Sequence, residues 1–215
     1  AQLYKKDNLT GGHIIILNAG GSEFFKESKK QAMSALKAYP NGMQIGGGVT
    51  AINADDYIKA GATHVIVTSF VFKDGKVNYG NLKSLVKAVG KEHIVLDLSC
   101  RKKDGQYYIV TDRWQKFTDE ELTVELLHKL ESWCDEYLIH GVDVEGKAQG
   151  IDQELVKLLA QYDGNKVTYA GGVKNFDDLE LLKDYGNDKI DVTIGSALDL
   201  FGGDMEFAKV LEYCN

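Results

Sequence analysis

"QIGGGV" at residues 44–49 and "TYAGGV" at residues 168–173 are two versions of one pattern, an apolar run closing on two glycines and a valine. They stand 124 positions apart (44 to 168), and their surroundings repeat with them. Gly47-Gly48-Val49 returns as Gly171-Gly172-Val173, and Asp55-Asp56 returns as Asp177-Asp178. The next apolar run ends "VTS" (67–69) in the first copy and "IGS" (194–196) in the second. Matched strand ends at this spacing are what two fused half-barrels of four βα units leave behind. Twice the spacing is roughly 250 residues, the usual size of an eight-stranded barrel.

The rest of the chain agrees. Short apolar runs at 13–19, 43–49, 64–70, 93–100, 136–144, 166–173 and 189–198 alternate with helical patterns, including 22–38, 53–60, 80–89 and 119–132. Runs that are apolar on both faces belong to parallel strands covered by helices. Their regular alternation predicts an α/β chain with a parallel sheet. With no linker, no low-complexity run and one proline, residues 1–215 read as a single (β/α)8 TIM barrel domain. Seven strands are visible. Shifting "HIVLDLSC" (93–100) back by the repeat places its partner ahead of Ala1, and "AQLYKKD" (1–7) reads as a last helical turn, so the first strand is expected to be missing from this sequence.

Composition narrows the function. A formal charge of −7 argues against nucleic acid or an anionic membrane as the main partner. No apolar run approaches the roughly 18 residues of a membrane span. Three unevenly spaced cysteines form no metal-ligand pattern and suit a reducing compartment. Any bound anion must therefore be held locally. Glycine admits positive φ and close backbone approach, and a phosphate is best met by backbone N–H groups at a helix start. Gly47, Gly48, Thr68 and Ser69 form one candidate phosphate cradle; Gly171, Gly172, Gly195 and Ser196 form a second. The expected ligand is a small bisphosphate.

Chemistry needs more than a cradle. Asp97 lies inside an otherwise apolar strand, near its C-terminal end, where a carboxylate is costly unless used or paired; a loop-capping role is the bland alternative. "RKKDGQYYIVTDRWQ" (101–115) is too long for an ordinary βα loop and reads as a β-hairpin, with Trp114 placed to stack on a flat heterocycle or to close the hairpin core. "IHGVDVEGKAQG" (139–150) supplies His140, Asp143 and Glu145, with Glu145 before a glycine-bearing flexible loop, as a mobile acid would be. His13, His64, His93 and His128 fall at strand starts or on a helix and read as structural.

Together "MQIGGGV", "VLDLSCRK", "DRWQ", "IHGVDVEG", "VTYAGGVKNFDDL" and "TIGSALDLFGG" resemble the isomerase family of histidine biosynthesis that opens phosphoribosylformimino aminoimidazole carboxamide ribotide (ProFAR), most closely its eukaryotic-type branch. The resemblance runs from about Tyr4 to the C-terminus. It implies an Amadori rearrangement of an aminoaldose to an aminoketose, with no metal or cofactor. Asp97 matches the family's fifth-strand aspartate, an acid/base or positioning group, and Trp114 matches its stacking tryptophan. Glu145 falls where bacterial members carry the Asp assigned as general acid, with Asp143 the alternative; His140 falls where many of them carry Thr. Arg101 is a candidate for the carboxamide or phosphate end. The family's usual base, an aspartate on the first strand, has no counterpart here. A monomer in the cytosol, or in a plastid if the source is a plant, is expected. Rival readings are the sister cyclase barrel of the same pathway, which lacks the tryptophan hairpin, and a bisphosphate-binding pseudoenzyme or truncated barrel. The Amadori isomerase of tryptophan biosynthesis would normally have one phosphate site.

Overall fold

The structure, a computed structural model, describes residues 1–18, 20–147 and 149–214. The chain is α/β, and its contacts divide it into two compact units.

The first unit comprises Ala1–Asp97 with Leu130–Glu136. Helix α1 (Gln2–Lys6) leads to β1 (Gly12–Ile15), α2 (Phe25–Ala38), β2 (Met43–Gly46), α3 (Ala54–Lys59) and β3 (Ala62–Val67). A small antiparallel hairpin, β4 (Phe72–Lys73) and β5 (Lys76–Val77), precedes α4 (Tyr79–Val89) and β6 (Ile94–Asp97). Strands β1, β2, β3 and β6 pair in parallel in that order. Leu36, Ile45, Val65, Leu82, Leu85 and Ile94 are wholly buried, so the helices and the sheet share one apolar layer, as unbroken apolar strands require. Asn78 caps α4 by accepting the Asn81 N–H at 3.1 Å, a contact worth about 1 kcal/mol.

The second unit comprises Leu98–Lys129 with Tyr137–Asn215. It opens with three antiparallel strands, β7 (Cys100–Lys103), β8 (Gln106–Thr111) and β9 (Lys116–Glu121). Helix α5 (Val124–Leu130) and β10 (Glu136–His140) follow, each with one end in the first unit. Then come α6 (Gln153–Leu159), β11 (Lys166–Ala170), α7 (Phe176–Tyr185), β12 (Ile190–Thr193) and α8 (Phe207–Cys214). Strands β11 and β12 pair in parallel. Asp152 and Asn175 cap α6 and α7 with their side chains. Leu179, Leu198, Met205 and Val210 make a core beneath α7 and α8.

Two expectations change. The segment 101–115 belongs to a three-stranded sheet reaching Glu121, not to a hairpin alone, so the helix expected from 119 begins only at Val124. The alternation Phe117, Asp119, Glu121 against buried Thr118 is strand-like, and the Thr118 hydroxyl donates to the Ile109 carbonyl at 2.9 Å. The strands are also shorter than their apolar runs, because the chain leaves the sheet once the glycine-rich ends begin.

Among the described residues, no helix is long and apolar enough to cross a membrane. Nor does any group of three or more His, Cys, Asp and Glu side chains stand where it could hold a metal ion.

Candidate functional site

Each unit carries one glycine strand end. Gly47 and Gly48 follow β2 with φ of 98° and 67°; Gly171 and Gly172 follow β11 with φ of 118° and 75°. A Cβ on Gly47 would lie 2.1 Å from the Ile16 carbonyl oxygen, and one on Gly171 would lie 2.7 Å from that of Gly141. Both contacts arise in the same way. Ile16 leaves β1 and donates its N–H to Gly46 at 2.9 Å; Gly141 leaves β10 and donates its N–H to Ala170 at 2.9 Å. The preceding strand thus crowds the glycine backbone at both ends, and only glycine fits.

In the first unit, Thr68 and Ser69 lie directly after β3, Ser69 opening a short 3-10 turn. The Thr68 hydroxyl donates to Asp97 Oδ2 at 3.0 Å. Asp97 is the last residue of β6 and is half-buried. The Thr68 side chain is therefore engaged with the carboxylate, which leaves its backbone to the phosphate role expected of it.

In the second unit, a cavity of about 260 Å³ is bounded by Gly171, Gly172, Gly195, Ser196, His140 and Glu145. All four residues of the second expected cradle line it. His140 Nε2 and Glu145 Oε2 are 3.0 Å apart. That hydrogen bond is the main reason the Glu145 carboxyl sits below its ordinary value of 4.5; burial opposes it, and the Gly172 backbone N–H adds to it. Trp114 sits at the turn between β8 and β9, 37 % exposed, its ring edge-to-face with His140 at 4.7 Å between centroids. The turn is unusual: Asp112, Arg113 and Trp114 are all left-handed, with φ of 53°, 57° and 67°.

Asp143 is placed differently. Its Oδ1 accepts from Arg101 Nε at 3.0 Å and its Oδ2 from the Lys102 backbone N–H at 2.8 Å. Both oxygens are used to tie the 142–144 turn to β7, and the Arg101 Nε is committed to the same bridge. A second tie holds the far end of this loop, where the Tyr107 hydroxyl donates to Asp152 Oδ1 at 2.7 Å. The antiparallel sheet therefore anchors both flanks of the segment that carries Glu145. Ala148 of that loop lies outside the described residues.

Sequence reasoning missed Lys174, Thr193, Gly203 and Asp204, which line the same cavity. Lys174 had a signal, a cation two positions after Gly172; Thr193 lies two positions before Gly195, and Gly203-Asp204 lie in "FGGD". The histidines read as structural make local contacts: His64 with Asp135 at 3.1 Å, and His93 Nδ1 with the Thr63 carbonyl at 2.7 Å.

Comparison with known proteins agrees with these features. A relative from Medicago truncatula is 54 % identical over all of this chain and 67 % of its own length. It is named 1-(5-phosphoribosyl)-5-((5-phosphoribosylamino)methylideneamino) imidazole-4-carboxamide isomerase HISN3, chloroplastic. Isomerases of the same name from Yarrowia lipolytica and Saccharomyces cerevisiae are 47 % and 40 % identical, over 99 % and 95 % of this chain and 81 % and 78 % of their own lengths. The family model described as "Histidine biosynthesis protein" matches residues 1–205. Two equivalent glycine strand ends and a turn carrying Trp114 are the setting in which that match falls, and the chain belongs to the histidine biosynthesis protein family.

Proposed function

We propose that this protein is the ProFAR isomerase of histidine biosynthesis, opening the ribose of one phosphoribosyl group and rearranging the aminoaldose to an aminoketose. The observation that carries the reading is the pair of equivalent glycine ends, each crowded by the preceding strand and each of positive φ. A substrate with a phosphate at each end asks for two such places. Isomerases of this name, 40–54 % identical, support it from outside the site.

The residues divide the work. Gly47, Gly48, Thr68 and Ser69 hold one phosphate through backbone N–H groups, and Gly171, Gly195 and Ser196 hold the other beside Gly172, whose N–H is given to Glu145, with Lys174 adding charge. Trp114 stacks on the imidazole carboxamide. The loop pair His140 and Glu145 faces the ring oxygen, whose protonation breaks the C1′–O4′ bond as the nitrogen lone pair forms the Schiff base. Asp97, oriented by Thr68, then serves in proton transfer at C2′, and the enolamine goes to the ketose. Asp143 and Arg101 brace the loop. No metal or cofactor is required by these steps. The same reading takes residues 1–215 as one barrel domain built from two half-barrels, acting as a monomer in the cytosol, or in a plastid as its chloroplastic relative is named.

The test is turnover of ProFAR by protein expressed from the complete gene, beside Asp97→Asn. Loss of about 100-fold or more in kcat, with substrate still bound, is expected for a group in proton transfer. Full activity in the variant removes Asp97 from the mechanism; no conversion by the wild type removes the isomerase reading.

A further inference from the structure

We infer that the proton delivered to the ribose ring oxygen is carried by the imidazolium of His140, with Glu145 as the fixed carboxylate that holds it. This rests on the isomerase reading and deepens it.

The geometry is specific. His140 closes β10 and faces the cavity that also contains Gly171, Gly172, Gly195 and Ser196. Its Nε2 meets Glu145 Oε2 at 3.0 Å, its side chain is only 18 % exposed, and the Trp114 ring covers it at 4.7 Å. Glu145 has a further donor, the Gly172 N–H. Two donors aimed at the Glu145 carboxyl favour its charged form. The other charged side chains lining the cavity are Lys174 and Asp204, and the buried Tyr169 hydroxyl feels the Glu145 charge. Asp143 is taken up by Arg101 and Lys102. An acid must be both protonated and in reach, and with Glu145 held as the carboxylate, His140 is the member of the pair left to carry a proton.

The step balances. The Nδ1–H, the ring proton that Glu145 does not hold, passes to O4′, C1′–O4′ breaks, and the substrate nitrogen becomes an iminium. Loss of the C2′ proton neutralises the iminium as the enolamine. Ketonisation moves one proton to C1′ and releases one from the 2′ hydroxyl, and His140 recovers its own from solvent.

The pH dependence of kcat tests this on protein expressed from the complete gene. The wild type should lose activity as pH rises through the histidine range, about 6–8. His140→Asn should lower kcat by about 100-fold or more, leave KM within about threefold and abolish that alkaline limb. Glu145→Gln should keep the limb but move it towards acid, because the carboxylate beside the ring is gone. NMR titration of the His140 ring gives a readout without turnover: its midpoint should fall in Glu145→Gln. An alkaline limb unmoved in either variant, or a ring midpoint unchanged by Glu145→Gln, overturns the assignment while leaving the isomerase reading intact. Absence of turnover in the wild type would overturn both.

Discussion

At the first glycine end, Asn53 folds back on the loop it follows, accepting the Thr50 N–H at 2.8 Å and donating to the Gly48 carbonyl at 3.0 Å. At the second end the matching Asn175 turns forward to cap α7, and Asp178 takes the Lys174 N–H at 3.0 Å. The crowding also differs. Gly48 has open space where its Cβ would stand, whereas a Cβ on Gly172 would lie 2.2 Å from the Gly150 carbonyl oxygen. One end is braced by its own following residue, and the other by the loop that carries Glu145. The backbone requirement is common to both, but only the second end is mechanically joined to an acid-bearing segment.

The sharpest way to break this comparison is glycine replacement. Gly47→Ala and Gly172→Ala place a methyl against backbone oxygen as well as in a left-handed conformation, and should each cost about 3 kcal/mol or more in urea denaturation. Gly48→Ala meets only the conformational penalty, about 1–2 kcal/mol. Equal losses at 47 and 48 would show that φ alone, not the neighbouring strand, fixes glycine there.

Thr68→Val comes next, since it removes the hydroxyl that donates to Asp97. A hydrogen bond to a charged group is worth about 1.5–3 kcal/mol, so kcat/KM for ProFAR should drop by roughly 10- to 100-fold. Wild-type kinetics in this variant would mean that Asp97 is oriented without Thr68. Trp114→Ala has a smaller expected effect, a loss of about 1 kcal/mol in ProFAR binding by calorimetric titration if stacking operates. Superimposable titrations would leave Trp114 as a cover for His140.

The smallest effect is on stability against pH. The Glu145 carboxyl is lowered in the folded protein, so its contribution is present above the ordinary value of 4.5 and is lost as pH falls through the lower folded value. Glu145→Gln should lower the melting temperature slightly at neutral pH, flatten the acid side of the profile in that window and rejoin the wild type below it. An unaltered acid slope would mean that the His140 contact adds nothing to folding.

Much of this was legible in the sequence, and the reasons are local. Glycine pairs after apolar runs have few uses, and the two pairs predicted left-handed backbone that Gly47, Gly48, Gly171 and Gly172 all adopt. Asp97 at the end of β6 followed from a single carboxylate in an apolar run. Strand β9 was harder to see, because "KFTDEE" is too charged for a core strand and forms by pairing with β8. The Asp-Gly signal for the β4–β5 hairpin was present, with φ of 52° and 76° at Asp74 and Gly75, yet it lay inside what read as a simple strand-to-helix link. The double tie on Asp143 was beyond reach: Arg101 and Lys102 lie about 40 positions away, and nothing in composition announces that a carboxylate will be spent on backbone and guanidinium at once.

The left-handed run Asp112-Arg113-Trp114 sets a conflict for anyone improving this protein. Arg113→Gly relieves a side chain held in a conformation that costs about 1–2 kcal/mol, so selection for heat resistance would favour it. The same change gives the chain beside Trp114 more freedom, and with it the indole that lies over His140. Directed evolution for stability and for turnover would therefore pull residue 113 in opposite directions, and a library scored on melting temperature alone would retain its least active members at this position.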